Sequence, residues 1–496
     1  MSRSRSGAVA GAASGAARGA ASVAAVDLGA TSGRVIVGRV GDGELAMQTV
    51  GRFENRAVPT PNGLHWDLLG LYRGALTGLA AAVREHPSIA SIGVDSWAVD
   101  YGLFAGGRML GTPFHYRDER TAAGVEATHA RVPFEDLYRR NGLQFLPFNT
   151  LYQLAAERTG GALLDLADTL LLVPDLFGYY LTGTAVAERT NASTTGLVNV
   201  TTGEWDDELI ATLGLPRGIL PGLVDPGARI GTTLPYVQRE IGAARPIDVV
   251  AVGSHDTASA VVGVPMTDAS RAAYISCGTW GLVGLELEHP VTTDAARAAN
   301  FTNEGGVDGR VRFLHNVMGL WLLSESVRQW ELESGSKIDL PTLIAEAGSI
   351  TTPVAVFDPD DARFAPPGDM PGRIAAWCVE HDEPVPASWA EFTRSIIESL
   401  AEAFARTVRT AAELTGRAVD VIHIVGGGSL NTLLCRRTAD RAGIPVLAGP
   451  VEATAIGNLL VQARAQGATG SSLEELRAIA AAAFPPVRYE PTSSTD

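Results

Sequence analysis

Two stretches decide how this chain folds: AAVDLGATSGRVIVGRV at residues 24–40 and AAYISCGTWGLVGLEL at residues 272–287. Each reads as an apolar β-rich run, a tight turn with glycine and a hydroxyl residue, then a second β-rich run. Gly29 and Gly278 fall at equivalent places about half a chain apart. Either these are two ordinary hairpins, or the chain carries a duplicated domain whose turns face one another across a cleft.

Outward from these stretches, short β-rich runs alternate with helical periodicity, which reads as α/β. Strands are predicted at 23–27, 33–40, 89–94, 247–252, 272–276, 282–286 and 421–425. Helices are predicted at 68–84, 257–263, 318–331, 395–414, 431–441 and 453–466. A break near 264–271 divides the chain into a first lobe, 23–265, and a second, 266–470, with a C-terminal helix and tail at 471–496. The stretch 111–245 elaborates the first lobe, and the proline- and acid-rich 351–388 is a loop-rich insertion in the second. Residues 1–22, rich in Ala, Gly, Ser and Arg, read as a disordered extension rather than a secretory signal, because they lack a continuous apolar core.

Composition narrows the chemistry. The 496 residues carry a net charge of −16 and 46% hydrophobic residues, which describes a soluble globular protein with no nucleic-acid partner. The cations are almost all arginine, with Lys337 the single lysine. Neither a Walker A loop nor a protein-kinase site can be built without its lysine. Any nucleotide must therefore be held by backbone amides, hydroxyls, a divalent cation and arginine. Cys277, Cys378 and Cys435 are widely spaced, with no CxxC, so neither a disulfide framework nor a zinc site is expected. No uncharged apolar run reaches the roughly 18 residues of a membrane helix. The expected location is the cytoplasm, with no membrane partner.

The motifs point to phosphate and sugar. In DLGATSGR, Asp27 ends a strand, and turn amides, Thr31, Ser32 and Arg34 can bond phosphate oxygens. A carboxylate beside phosphate needs a cation between them, so Asp27 suggests a Mg²⁺ site through water. ISCGTWG adds a second turn with Thr279, and HIVGGGSLN adds Gly426, Gly427 and Gly428, whose open backbone can lie against an adenosine. In VVAVGSHDTASAVVGV, His255 and Asp256 stand between a strand and a helix. Asp256 either caps the helix or accepts the proton of a substrate hydroxyl during phosphoryl transfer. Asp95, Trp97 and Asp100, with Tyr116, Arg117, Asp118 and Arg120, have the composition of a sugar site, or of a buried tryptophan and a solvated charge cluster. The chain has no GxSxG or HExxH.

Together these residues resemble the FGGY carbohydrate kinases of the actin/hexokinase-like superfamily. The resemblance rests on AVDLGATSGRV, IGVDSWAVDYGL, YRDERT, NGLQFLPFNTLYQL, LLVPDLFGYYLTG, ERTNASTTGLVN, VGSHDTASAV, AAYISCGTWGL, NFTNEGG, NVMGLWLL, HIVGGGSLNTLL and AGPVEATAIGN. It implies two actin-like (ribonuclease H-like) lobes with an ATP and sugar cleft between them. It also implies ATP-dependent, Mg²⁺-assisted phosphorylation of L-rhamnulose at its 1-hydroxyl. Residue by residue, it implies that Ala30, Thr31, Ser32, Gly33, Arg34, Thr279 and Gly427 contact ATP. His255, Asp256, Thr257 and Asn316 would contact the ketose, with Asp256 as base. Ala98 stands where the family usually has a sugar-contacting glycine; a backbone contact survives, but the methyl narrows the pocket. Ser324 takes the place of a glutamine near the nucleotide in relatives. The alternatives are a kinase for L-fuculose or L-xylulose and an actin-like nucleotide switch without sugar-stimulated turnover.

Overall fold

A computed structural model describes residues 19–41 and 43–492. Residues 1–18, most of the extension read as disordered, lie outside the described residues. The first strand begins inside that extension: β1 (Ala21–Leu28) pairs Ala21 with Val40 and Ser22 with Arg39. Backbone pairing carries the strand two residues beyond its apolar run.

The first sheet comprises β1, β2 (Ser32–Gly41), β3 (Glu44–Glu54), β4 (Ser91–Ser96), β5 (Arg229–Thr232) and β6 (Asp248–Val250). Its order is β3-β2-β1-β4-β6-β5. The second comprises β7 (Ala272–Cys277), β8 (Trp280–Leu287), β9 (Thr302–Gly305), β10 (Val311–Met318), β11 (Val421–Val425), β12 (Val446–Ala448) and β13 (Val487–Tyr489), ordered β9-β10-β8-β7-β11-β12-β13. Leave out β9 and the two sheets match strand for strand. Each has three antiparallel strands, then two more parallel to the third, then an antiparallel edge. The weak repeat in sequence is a duplicated fold. The tail contributes to it as well, since β13 closes the second sheet.

The duplication extends to helices. After β6 comes α1 (Asp256–Gly263), and after β12 comes α2 (Ala453–Ala465). The two helices pack at small residues: a Cβ on Gly457 would lie 1.8 Å from the Ser259 carbonyl oxygen, and one on Gly263 2.2 Å from that of Ala453. Only glycine permits so close a backbone approach. Although α2 follows a strand of the second sheet, it lies on the first. Gln462 donates to the Ala24 carbonyl at 3.0 Å and accepts from the Ser91 hydroxyl at 2.8 Å.

Most predicted elements appear near their expected places. The helix predicted at 318–331 instead spans Trp321–Ser334, because Met318 still pairs with Trp280 at the end of β10. A 27-residue helix, Trp389–Thr415, backs the second sheet with Ile396, Ile397, Leu400, Phe404 and Val408 buried. Phe404 lies against Gly281. Among the described residues no helix is long and apolar enough to cross a membrane.

Candidate active site

The two glycine turns open onto one cleft of ≈ 440 Å³. In the first turn, Gly29 N–H donates to the Ser32 carbonyl at 2.9 Å; in the second, Gly278 N–H donates to that of Trp280 at 2.8 Å. Ala30, Thr31, Ser32 and Arg34 line one wall, and Gly278, Thr279, Gly426 and Gly427 another. Ala98, His255, Asp256, Thr257 and Asn316 line the same cleft. Three candidates do not. Gly33 is buried against Phe53, Asp27 lies beneath the turn at 3% exposure, and Ser324 is exposed on the helix after β10. Gly428 is packed on Cys277, leaving no room for a Cβ, which would sit 2.3 Å from its Sγ.

Arg34 is held on both sides. Its Nε donates to Asp27 Oδ2 at 2.9 Å, and its Nη1 pairs with Glu452 at the start of α2. Asp27 is also aligned with Asp95 across the β1–β4 ladder. Burial pushes the Asp27 carboxyl up, Arg34 opposes this, and Asp256 and Glu452 push it further up. Asp95 is fully buried; Oδ2 accepts from Asn458 while Oδ1 has no partner. Several carboxylates thus share one close guanidinium, a donor set suited to a hard cation. Among the described residues no three His, Cys, Asp or Glu side chains converge to hold a metal. The set fits a Mg²⁺ that keeps most of its water.

Asp256 is the first residue of α1, where the helix dipole favours a carboxylate. Its side chain is about one third exposed and accepts from the Thr257 hydroxyl at 3.0 Å. His255 Nε2 lies 3.5 Å away. Behind it, the buried Arg312 donates to His255 Nδ1 at 2.9 Å and pairs with Glu304 at 3.1 Å. Burial alone would raise the Glu304 carboxyl, but Arg312 and His255 hold it below the usual range. Glu304 Oε2 also lies 3.2 Å from His255 Nδ1, so a guanidinium and a carboxylate meet the ring at the same nitrogen and fix its position, with Nε2 turned toward Asp256.

The sugar-like clusters divide between site and scaffold. Trp97 and Tyr116 line the cleft. Asp100 sits below, where one oxygen accepts from Trp66 Nε1 at 2.6 Å, Trp97 Nε1 at 3.0 Å and Tyr116 N at 3.1 Å. Burial pushes it up to about 6 against these bonds. Asp118 accepts from Leu64 N–H, and Arg120 pairs with Glu157, so both serve the scaffold. Arg117 lies over Trp321 and bonds the Ala365 carbonyl across the cleft. Between them, Val99 has a φ of +67°, rare for a β-branched residue. Its carbonyl is pinned by Thr150 Oγ1 at 2.7 Å. The strain sits in the cleft wall itself, which Trp97, Ala98 and Val99 line together.

Sequence reading assigned no role to Gln144, Asn149, Thr194, Glu304, Val451 or Thr454, which also line the cleft. The available signals were polar residues inside the apolar run NGLQFLPFNT for Gln144 and Asn149, and, for the others, their place in the family-like segments ERTNASTTGLVN, NFTNEGG and AGPVEATAIGN.

Known proteins share this arrangement. Models of the FGGY family of carbohydrate kinases match residues 22–263 for its N-terminal domain and 273–466 for its C-terminal domain. The rhamnulokinase of Pectobacterium atrosepticum is 43% identical over 480 residues, 96% of this chain and 94% of that protein. That of Bacteroides thetaiotaomicron is 40% identical over 469 residues, covering 94% and 95%. Among solved structures, xylulose kinase from Lactobacillus acidophilus superposes with a TM-score of 0.76 at 16% identity, covering 95% and 94% of the two chains. Plasmodium falciparum glycerol kinase with ADP gives 0.74 at 14% identity, covering 95% and 94%. With both family models matched in order along nearly the whole chain, and the two lobes and their cleft in place, the chain belongs to the FGGY family of carbohydrate kinases and is an ATP-dependent sugar kinase.

Proposed function

We propose that this kinase transfers the γ-phosphoryl group of ATP to the 1-hydroxyl of L-rhamnulose, giving L-rhamnulose 1-phosphate and ADP. The observation that carries the chemistry is Asp256, partly exposed at a helix N-terminus in the cleft shared by both glycine turns. The ketose is supported by likeness to rhamnulokinases at 40–43% identity. In this reading the first lobe, 23–265, holds the sugar and the second, 266–470, the nucleotide.

Turn amides of Ala30 to Ser32, the hydroxyls of Thr31, Ser32 and Thr279, and the backbone at Gly427 hold ATP, with Gly33 leaving room behind the turn for Phe53. Arg34 turns part of its charge from Glu452 to the phosphates. Asp27 is the residue that would hold a Mg²⁺ through water, and such an ion would supply neutralisation of the phosphate charge. Ser324 has no place in the nucleotide set. Asn316, His255, Thr257 and the Ala98 backbone orient the ketose. Asp256 takes the proton of the 1-hydroxyl as that oxygen bonds the γ-phosphorus and the bond to ADP breaks. Lobe closure excludes water, which would otherwise compete as acceptor.

Asp256→Asn is expected to lower kcat by about 10²–10⁴-fold while ATP affinity stays within about twofold. Wild-type turnover in that variant would remove Asp256 as the base. ADP release measured over L-rhamnulose, L-fuculose and L-xylulose ranks the ketoses. Turnover that no sugar stimulates would favour the nucleotide switch.

A further inference from the structure

Residues 142–148 belong in sequence to the first lobe and are tied to it at Leu143, Leu146 and Phe148, yet Gly142, Gln144 and Phe145 bond the second. Asn303, on β9, donates to the Gly142 carbonyl through its backbone N–H at 2.9 Å and its side-chain amide at 3.0 Å. Asn300 Oδ1 accepts from Phe145 N–H at 2.9 Å. Gln144 Oε1 accepts from both Asn316 N–H and Asn316 Nδ2, each at 2.9 Å. Three asparagines of the second lobe thus hold one loop of the first. Leu143, Gln144, Leu146 and Phe148 of that loop line the cleft.

The Gln144 contact fixes two amide orientations in turn. A backbone N–H only donates, so the Gln144 atom facing Asn316 N must be its oxygen. The Asn316 atom 2.9 Å from that oxygen must then be its NH₂. Asn316 is left with Oδ1 as the free acceptor of its carboxamide, in a cleft where a polyhydroxyl ligand offers donors. Gln144 itself is 4% exposed, so water is a poor substitute partner.

We propose that Gln144 is a positioning residue for the sugar: it holds the Asn316 carboxamide with its oxygen toward the ketose, and it does so only when the lobes are together. Ketose binding and lobe closure are thereby coupled through one side chain. The inference rests on Asn316 as a ketose contact, and goes beyond it by naming what orients Asn316 and when.

The test is Gln144→Met, which fills similar volume without an acceptor, beside Gln144→Glu, which keeps one. Gln144→Met is expected to raise the ketose KM about tenfold, leaving the ATP KM within about twofold. Gln144→Glu is expected to recover most of that loss. In an Asn316→Ala background, Gln144→Met should cost little more, because the two act as one unit. Ketose titration followed by the fluorescence of Trp97 and Trp280, both in the cleft, reads the same coupling without turnover. A ketose KM within twofold of the parent in Gln144→Met would overturn the proposal. Full additivity with Asn316→Ala, or a Gln144→Glu variant no better than Gln144→Met, would do the same. If Gln144→Met fails to fold, Gln144→Leu, which likewise lacks an acceptor, takes its place under the same criteria. Failure of the parent enzyme on the ketose panel bears on the sugar-kinase reading alone, since no variant enters that measurement.

Discussion

The two halves share a sheet plan, a glycine turn and a helix after the third parallel-facing strand, but they carry charge differently at matching places. Counting back from Gly29 and Gly278, Asp27 in the first half corresponds to Ser276 in the second. Their ladder partners are Arg34 and Leu282. At the helices, His255 and Asp256 in the first half stand where Glu452 and Ala453 stand in the second. In the proposed function the first half supplies the charges that do chemistry, while Gly278, Thr279, Gly426 and Gly427 of the second offer a neutral wall suited to backbone contacts. Once duplicated, each copy could specialise because the shared fold fixes strand order, not turn chemistry.

Buried acids repeat the contrast. Around the first sheet, Asp100, Asp175 and Glu188 are buried among neutral donors or near each other, and burial raises all three. In the second half, burial would raise Glu304, Glu325 and Glu398, but arginines hold them below the usual range. Glu398 is met by Arg394 at 2.8 Å, Arg437 at 2.7 Å and Arg441 at 3.0 Å. Asp206, in the first-half insertion, is the exception, lowered by Arg140 against its own burial.

After the loss at Asp256, the largest effect is expected at Arg34. Arg34→Ala leaves Asp27 and Glu452 without their shared cation and should raise the ATP KM about 10²-fold, whereas Leu282→Ala, at the matching place, should shift it by less than about threefold. Comparable losses in steady-state kinetics would break the charged-against-neutral comparison. Next is Gly428→Ala, whose methyl meets Cys277; nucleotide affinity should fall about tenfold, and Cys277→Ala should restore part of it. No rescue in a nucleotide titration would mean the packing at Gly428 is not what shapes that wall.

The smallest effect concerns acid. Each half buries a neutral histidine whose pKa burial lowers to about 4: His115, stacked 4.0 Å from Trp66, and His423 on β11. The unfolded chain protonates near 6.5, so both withdraw stability as pH falls from about 6.5 to about 4. Asp100, raised to about 6, works the other way, adding stability as pH falls from about 6 to its unfolded value near 3.8. The arginine-held Glu304, Glu325 and Glu398 add their loss as pH falls through about 4.5 and below. Hydrogen exchange at pH 7 and pH 5, above the range of the held glutamates, reads one histidine in each half and Asp100 in the first, so the second half should lose more protection, by about 1 kcal/mol. Greater loss in the first half would remove Asp100 as a raised acid.

Much of the site was legible in sequence. Glycine with a hydroxyl residue between two apolar runs reads as a phosphate-friendly turn, and HD between a buried strand and a helix reads as a carboxylate at a sheet edge. The clusters at 95–100 and 116–120 were only half legible. A carboxylate aimed at a sugar and one bonded to two buried indoles look the same in sequence, and only packing assigned Asp100 to the scaffold. Ser324 was placed by family position alone, and its helix turns it away from the cleft.

By itself the sequence determined an α/β chain with a repeated turn, a kinase without a P-loop lysine, and Asp256 as the candidate base. The α/β pattern, the repeated turn and the missing lysine are local, carried by period, spacing and composition, whereas the kinase and its base rest on the likeness of whole motifs to the FGGY family. Tertiary structure alone decided that Arg34 is shared between Asp27 and Glu452, that β13 closes the second sheet, and that Gln144 orients Asn316 from 172 residues away. No pattern along a chain encodes such contacts, because their energy exists only once folding brings the partners together and takes them from water.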